Sequence, residues 1–271
     1  MTLTEAFADL HRAMRAKCPL VHNITNYVTV NDVANSLLAI GGSPVMADAM
    51  EEAGDMAAIS SALVINMGTL NSRTVEAMLA AGKRANEAGI PVIFDPVGAG
   101  ATPYRNETAA RLLSDLKFAI IRGNLSEISF VAGHAVKTKG VDSGASDQSP
   151  REVALQLAKA QACTVVVTGK TDVVTDGARV AEVDNGVALL SKITGTGCMA
   201  SAITGAYAGA TSDYFLAGVA GVASMGIAGE LAFEAAGKAG LGSFHAAILD
   251  GLSNITAEVI LNRAKIRETN A

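Results

Sequence analysis

The sequence has no tryptophan, four tyrosines and three cysteines, and charged residues fill only 17% of its 271 positions. The scattered cysteines, Cys18, Cys163 and Cys198, provide neither a disulfide framework nor the paired spacing of a zinc site. Low charge together with an apolar share of 50% excludes disorder as a description of the whole chain. The low charge content predicts a folded protein, and the scattered cysteines predict a reducing compartment. We therefore expect the protein in the cytoplasm.

Positive charge is also scarce, since 21 Lys and Arg residues face 26 Asp and Glu residues and the net charge is −5. A nucleic-acid-binding protein usually presents a basic face, so this balance argues against nucleic acid as a partner. It leaves room for a local basic pocket that binds phosphate. Residues 1–17 lack the apolar centre of a signal peptide and predict an amphipathic helix.

Two long stretches without charge lie in the C-terminal third, at residues 193–212 and 214–229. They consist mostly of Ala, Gly, Ser and Thr, which suit closely packed buried helices better than helices facing lipid. We therefore expect no membrane span, although length alone would permit one.

Short apolar runs alternate with Ala-rich helical patterns along most of the chain. The runs are bounded by polar residues or Gly and do not alternate, which is typical of strands covered on both faces. Predicted strands are 19–23, 44–46, 62–66, 91–95, 118–121 and 164–168, and predicted helices include 74–87, 106–116 and 151–160. This rhythm predicts an α/β fold with a mostly parallel central sheet and helices on both faces.

Residues 171–190 depart from this rhythm. Asp176-Gly177 and Asn185-Gly186 are hairpin-turn signals that separate three short runs, 173–175, 178–183 and 187–190. They predict a short antiparallel extension of the sheet, and after Gly197 the pattern is helical to the end. Residues 137–150 form a polar loop to which we assign no role. Because the strand–helix rhythm resumes after it, we expect a single domain over residues 1–271.

Ligands of such sheets bind beyond the carboxyl ends of the strands, so polar residues that follow apolar runs are the first candidates. The main one is the segment from Thr194 to Cys198, where glycines precede a helix of small residues. Free N–H groups of Gly195, Thr196, Gly197 and Cys198 would form an anion hole for a moving phosphoryl group. Cys198 would lie in the first turn, where the helix dipole should lower its thiol pKa from roughly 8.5. A glycine-rich helix start with a buried structural cysteine fits the same pattern.

Three further polar groups follow predicted strands. Asp95 closes an apolar run and suits a magnesium ion bound through water, or a simple turn cap. Arg122 offers a donor fork for phosphate, while Asn124 and Glu127 have capping-box spacing. The segment His22–Asn26 could bind a small polar ligand or form a side-chain-capped turn. Met46, judged alone, suits the core as well as a ligand contact.

Six motifs occur in order: VHNITNYVT, SPVMADAMEE, DPVGAGATPYR, RGNLSEI, VVTGKTD and TGTGC. In combination they resemble the hydroxyethylthiazole kinase family of the ribokinase-like superfamily, over essentially the whole chain. TGTGC is the most informative, since related sugar and pyrimidine kinases usually carry Asp where Cys198 stands. The resemblance implies a three-layer α/β/α fold with a mostly parallel sheet and a short antiparallel extension.

The resemblance also implies an activity, which is transfer of the γ-phosphate of ATP, with Mg²⁺, to the hydroxyl of 4-methyl-5-(2-hydroxyethyl)thiazole in thiamine salvage. It implies a homotrimer with the thiazole site at a subunit boundary. The implied roles are substrate contact for Asn26, Met46 and Gly195, ATP contact for Arg122 and Thr168, magnesium for Asp95 and Glu127, and catalytic base for Cys198.

Three alternatives stay open on the sequence. A kinase of the same fold for another small alcohol, such as hydroxymethylpyrimidine, would need the same residues. A non-catalytic thiazole or ATP sensor would have no use for a base at Cys198. A membrane protein would use the uncharged C-terminal stretches.

Overall fold

The computed structural model describes residues 1–134 and 149–270, and so most of the loop at residues 137–150 lies outside it. The described part forms one nine-stranded sheet in the order β2-β1-β3-β4-β5-β6-β7-β8-β9. The strands are β1 (Leu20–Ile24), β2 (Ser43–Val45), β3 (Ala62–Asn66), β4 (Val92–Asp95), β5 (Ile120–Asn124), β6 (Thr164–Thr168), β7 (Asp172–Thr175), β8 (Arg179–Val183) and β9 (Ile266–Asn270).

Eleven α-helices are present in the described part. They are α1 (Leu3–Lys17), α2 (Val30–Ile40), α3 (Ala53–Ile59), α4 (Ser72–Glu87), α5 (Pro103–Asp115), α6 (Leu125–Val131), α7 (Pro150–Gln161), α8 (Thr196–Ala208), α9 (Tyr214–Ala236), α10 (Leu241–Ser253) and α11 (Ala257–Arg263). The N-terminal amphipathic helix, the predicted strands and the three predicted helices are confirmed within a few residues.

The sheet is parallel from β2 to β6 and antiparallel from β6 to β9. The antiparallel extension is therefore confirmed, but its third strand is not residues 187–190. That segment is a 3₁₀ helix, Ala188–Lys192, and the third strand is β9, so the prediction of helix to the end was wrong. The Asn185-Gly186 turn does not form a hairpin, because Glu230 accepts from Gly186 N at 2.9 Å and holds the chain against α9.

Helices cover both faces of the sheet, which gives the expected three layers. Alternate residues of β3 point into two separate cores. Val64 belongs to the core that contains residues of α1, α2 and α8–α10, and Ile65 belongs to the core that contains residues of α3–α7. Such strands bury side chains on both faces, which explains why their sequences do not alternate.

Of the described helices, α9 alone is long and apolar enough by itself to cross a bilayer. However, 83% of its apolar window is buried within the protein. Its small residues permit that burial, since a Cβ on Gly221 would lie 2.0 Å from Thr204 Oγ1 of α8. The helix is therefore accounted for as a core element.

Candidate active site

The site is built around the first turn of α8. Gly195 is the residue before the helix and has φ +91, a conformation that favours glycine. A Cβ there would also lie 2.7 Å from Thr29 Cγ2. No described side chain caps the helix, so the first N–H groups, from Thr196 to Cys198, stay available for an anion.

Arg122 lies directly against this helix start. A Cβ on Gly197 would be 2.9 Å from Arg122 Nη1, so glycine is needed for the approach. The guanidinium Nη2 donates to Thr168 Oγ1 at 3.0 Å, which brings the two predicted ATP-contact residues together. Arg122 belongs to β5 rather than following it, and its buried Nε has no hydrogen-bond partner. A donor left free beside a helix N-terminus suits a phosphate oxygen.

Cys198 is the third residue of α8 and so lies in its first turn, as predicted, and its thiol is held by two amides. Asn26 Nδ2 and Asn66 Nδ2 each donate to Cys198 Sγ at 3.3 Å. Asn26 Nδ2 also donates to Asn66 Oδ1 at 3.0 Å, so the two amides form one unit around the sulfur. This network fixes where the thiol points.

The expectation of a lowered thiol pKa at Cys198 was wrong. Burial raises the pKa of Cys198, and the negative charge of Asp95 raises it further. Hydrogen bonds from Thr29, Asn66 and Asn26 act in the opposite direction without overcoming burial. The helix start attracts negative charge, but the half-buried Cys198 thiol loses much of its contact with water there, and this desolvation dominates.

Asp95 ends β4 inside the protein and is 1% exposed. Its Oδ2 accepts from Ser201 Oγ at 2.7 Å and Asn66 Nδ2 at 2.9 Å, and Arg122 Nη1 lies 3.9 Å away. Its Oδ1 is buried without a partner. Burial raises the pKa of Asp95, while Arg122 and the two hydrogen bonds lower it. The free oxygen marks a position for a ligand.

Glu127 forms the predicted capping box with Asn124. Its Oε2 accepts from Asn124 N at 2.9 Å and its Oε1 accepts from Gly98 N at 2.8 Å. Burial and then the nearby charge of Asp95 raise the pKa of Glu127 to about 7. The two carboxylates therefore repel each other in a buried place, which a cation would relieve.

These carboxylates fit a magnesium ion. Oxygen ligands suit Mg²⁺, which usually binds one or two carboxylates together with substrate phosphates and water. The partnerless Asp95 Oδ1 is the observation that supports the fit. No cluster of three or more His, Cys, Asp or Glu occurs among the described residues, so a cage made entirely of protein ligands is not found there.

One cavity reaches this region, and a second lies beside the chain segment that carries Asn26. The larger, about 680 Å³, runs from Arg122 and Thr168 past Thr196 and Gly197 to an apolar end at Val187, Leu190, Val222 and Met225. The smaller, about 180 Å³, is lined by Met46, Asn23, Thr25 and Val30 among others. Met46 therefore lies in a different cavity from the predicted ATP contacts. Asn26, in the thiol network, follows Thr25 along the chain.

Sequence reasoning missed Asn66, Ser201 and Thr29. Asn66 ends β3 and pairs in register with Asp95, so its position after an apolar run was the signal that could have found it. Ser201 and Thr29 carried no such signal, because one lies within a small-residue helix and the other within a polar turn. By contrast, His22, which was a candidate, is buried, and its Nε2 lies 2.6 Å from Ala47 O. Its side chain is therefore hydrogen-bonded to the backbone.

Comparisons with known proteins agree on one family. The model of the hydroxyethylthiazole kinase family matches residues 11–258. A hydroxyethylthiazole kinase of Clostridium beijerinckii is 56% identical over 96% of both chains, and one of Ruminiclostridium cellulolyticum is 54% identical over 98% of both.

Solved structures give the same picture. A hydroxyethylthiazole kinase protein from Pyrococcus horikoshii OT3 is 38% identical, with a TM-score of 0.87 over 97% of this chain and 99% of that one. The pyridoxal kinase of Staphylococcus aureus in complex with ADP is 14% identical with a TM-score of 0.62, over 93% of this chain and 98% of that one, and shows likeness of fold alone.

Proposed function

The chain belongs to the hydroxyethylthiazole kinase family, and we propose that its own residues carry out phosphoryl transfer at the start of α8, between the two cavities. The fold is ribokinase-like, and the reaction moves the γ-phosphate of ATP to the hydroxyl of 4-methyl-5-(2-hydroxyethyl)thiazole. The observation that carries the proposal is the meeting of Cys198, Asp95 and Arg122 around one uncapped helix start.

On the nucleotide side, we assign Arg122 and Thr168 to the phosphates of ATP. Arg122 presents its free Nε and its fork beside Gly197, and Thr168 fixes the orientation of the fork. The apolar end of the larger cavity suits a nucleobase. The N–H groups of Gly195, Thr196, Gly197 and Cys198 form the anion hole, where donors fixed in advance stabilise charge as it moves.

On the alcohol side, Asn26, Met46 and Gly195 are assigned to the substrate. Asn26 orients the Cys198 thiol, while Met46 offers an apolar wall in the smaller cavity. Cys198 then orients the substrate hydroxyl, and its thiolate form, present as a minor fraction, is the form that can receive the hydroxyl proton as transfer proceeds. Because its pKa is raised, the thiol is mostly neutral before transfer, and positioning is the larger share of its role.

Asp95 and Glu127 are proposed to hold a magnesium ion, with Asp95 Oδ1 as the free ligand atom. The ion, when bound, supplies positive charge that offsets the triphosphate and the two carboxylates. Asn66 and Ser201 keep Asp95 Oδ2 occupied and so aim Oδ1.

The assembly and location are also proposals. We propose one domain over residues 1–271, since one continuous sheet contains all described strands. We propose a cytoplasmic homotrimer whose thiazole site lies at a subunit boundary. Tyr27 is 77% exposed and Val28 is 57% exposed beside the smaller cavity, and a neighbouring subunit would cover them.

A product assay tests the function. The protein would be incubated with the thiazole alcohol, ATP and Mg²⁺, and both ADP and the phosphorylated alcohol would be measured by mass spectrometry. The expected result is one phosphoester formed per ADP released. Hydroxymethylpyrimidine serves as the comparison alcohol, and faster turnover of it would contradict the thiazole assignment. Thiazole binding without ADP release would contradict catalysis.

A further inference from the structure

One hydrogen-bonded pair, His245 and Asp32, lies beside the site network and contacts it. His245 Nε2, near the start of α10, lies 3.0 Å from Asp32 Oδ1 in the first turn of α2. The second oxygen, Asp32 Oδ2, lies 4.0 Å from the point that a Cβ on Gly195 would occupy. Asp32 therefore has one oxygen directed to α10 and the other near the start of α8, where the phosphoryl group is proposed to pass.

A continuous set of contacts leads from Asp32 to the thiol. Asp32 lies one turn after Thr29 on the same face of α2. Thr29 Oγ1 donates to Asn26 Oδ1 at 3.1 Å, and its methyl is the group that lies against Gly195. Asn26 Nδ2 in turn donates to Cys198 Sγ. A shift of the first turn of α2 would therefore move the amide that orients the thiol.

The first turn of α2 is not secured by a cap of its own. Thr29 is the residue before the helix, but its side chain makes no capping hydrogen bond because it is engaged with Asn26. The link from Asp32 to α10 supplies an anchor that local sequence does not. Since α10 packs along α9, this anchor ties α2 to the main helical layer.

Charge gives the pair a second effect. A carboxylate near the anion hole repels a phosphoryl group in transfer, and a donor on that carboxylate reduces the repulsion. His245 is the described donor to Asp32. Removing His245 alone would leave the negative charge of Asp32 without this donor, whereas replacing both side chains would remove the charge as well.

We propose that Asp32 and His245 are a positioning pair for the alcohol side of the reaction, holding α2 against Gly195 and reducing the charge beside the anion hole. This inference rests on the proposed function. It assigns neither residue a contact with the reacting atoms, and its effect reaches the reaction through Thr29, Asn26 and Gly195.

The test compares His245→Ala, Asp32→Asn and the double variant in the full-length protein, with the thiazole alcohol and ATP varied separately. The charge argument predicts that His245→Ala lowers kcat by about 5- to 10-fold, roughly what one nearby charge contributes at an intermediate dielectric. The KM for the alcohol should rise while that for ATP stays within about 2-fold. The double variant should recover kcat relative to His245→Ala, because the unpaired charge is gone.

The control is Glu234→Gln, which removes the negative charge from the Glu234–Arg263 pair, a more exposed pair between α9 and α11. It should leave both KM values and kcat unchanged. The proposal is overturned if His245→Ala behaves like this control, if the ATP KM rises as much as the alcohol KM, or if the double variant is slower than His245→Ala.

A second readout does not need the substrate. Alkylation of Cys198 by iodoacetamide, followed by peptide mapping, should be faster in His245→Ala and Asp32→Asn than in the parental protein, since the amide that holds the thiol is loosened. An unchanged alkylation rate in both variants would overturn the positioning role. If the parental protein phosphorylates no thiazole alcohol, the proposed function fails and the alkylation result alone decides the pair.

Discussion

The two ends of α8 hold two polar networks that differ in one respect. At the buried C-terminal end, His11 Nδ1 lies 2.8 Å from Tyr207 Oη, Tyr207 Oη lies 2.7 Å from Ser224 Oγ, and His11 Nε2 lies 3.0 Å from Ile255 O. Every polar atom of the His11 ring is paired. At the N-terminal end, Asp95 Oδ1 and Arg122 Nε are buried without partners.

This difference distinguishes a network that stabilises packing from a network that is prepared to bind a ligand, at opposite ends of one helix. A buried polar network that is fully paired within the protein fixes packing, since each group regains the hydrogen bond that it lost with water. A network with unpaired atoms costs stability, and the cost is removed only when something else binds. The N-terminal network is therefore the one at which we propose the reaction, and the C-terminal network is the one to which we assign a structural role.

The largest expected effect is from Asp95→Asn. The amide keeps an oxygen that can accept from Asn66 and Ser201, but it removes the charge that the proposed cation needs. We expect kcat/KM to fall by about 10³-fold, the scale of removing one fixed electrostatic contact. The thermal unfolding temperature should stay close to that of the parental protein. Removing a charge that is costly to bury offsets the weaker interactions of the amide. A parental rate in this variant would contradict the assignment of Asp95 to the cation. It would also contradict the distinction between the two ends of α8.

A smaller loss is expected from Cys198→Ala, about 10²-fold in kcat, with ATP affinity unchanged. Cys198→Asp should keep substantial activity, since a carboxylate is already ionised at neutral pH, whereas a thiol of raised pKa is mostly protonated. Steady-state kinetics and ATP titration would measure both. Full activity in Cys198→Ala would show that the thiol neither orients nor accepts a proton from the alcohol.

Low pH should destabilise the network at the C-terminal end of α8, which contains His11. Burial lowers the pKa of His11 from 6.5 to about 4, so the folded state binds this proton less readily than the unfolded state. The stability that neutral His11 contributes is therefore present above pH 6.5 and is lost as pH falls toward 4. We expect a loss of about 3 kcal/mol across that window.

Urea unfolding at a series of pH values would measure this loss. His11→Gln, which cannot gain the proton, serves as the matched variant and should show a shallower decline between pH 6.5 and 4. Identical slopes in the two proteins would assign acid sensitivity to other groups.

The smallest effect is expected from Tyr207→Phe. The substitution removes the hydroxyl shared by His11 and Ser224, and we expect a loss of about 1–2 kcal/mol in unfolding free energy with kcat unchanged. Chemical denaturation and the product assay would be run on the same preparation. A large fall in kcat would remove the distinction between the two ends.

Much of the fold was predictable because its signals are local. Unalternating apolar runs located the parallel strands, and the Asn124–Glu127 spacing located a capping box that the structure contains. Asp95 was found because a charged residue ending a buried strand is unusual. These features depend on neighbours within a few residues, which the sequence displays directly.

The features that could not be predicted from the sequence depend on contacts between residues that are far apart along the chain. The direction of the Cys198 pKa was wrong because burial by α2 and β3 is a property of the assembled site. Strand β9 was missed because residues 266–270 become a strand by pairing with β8, far away in sequence. Asn66 and Thr29 enter the site through sheet register and helix packing, neither of which a single sequence reveals.

The late position of β9 has a consequence for biosynthesis. The turn at Asn185, which walls the larger cavity, is fixed by residues far later in the sequence, since Asn185 Nδ2 donates to Arg263 O at 2.8 Å and Lys265 N donates to Asn185 Oδ1 at 2.7 Å. A chain still emerging from the ribosome lacks these contacts after the parallel strands have been made. Nucleotide affinity should therefore appear only after residues 263–265 have been synthesised and have folded against Asn185.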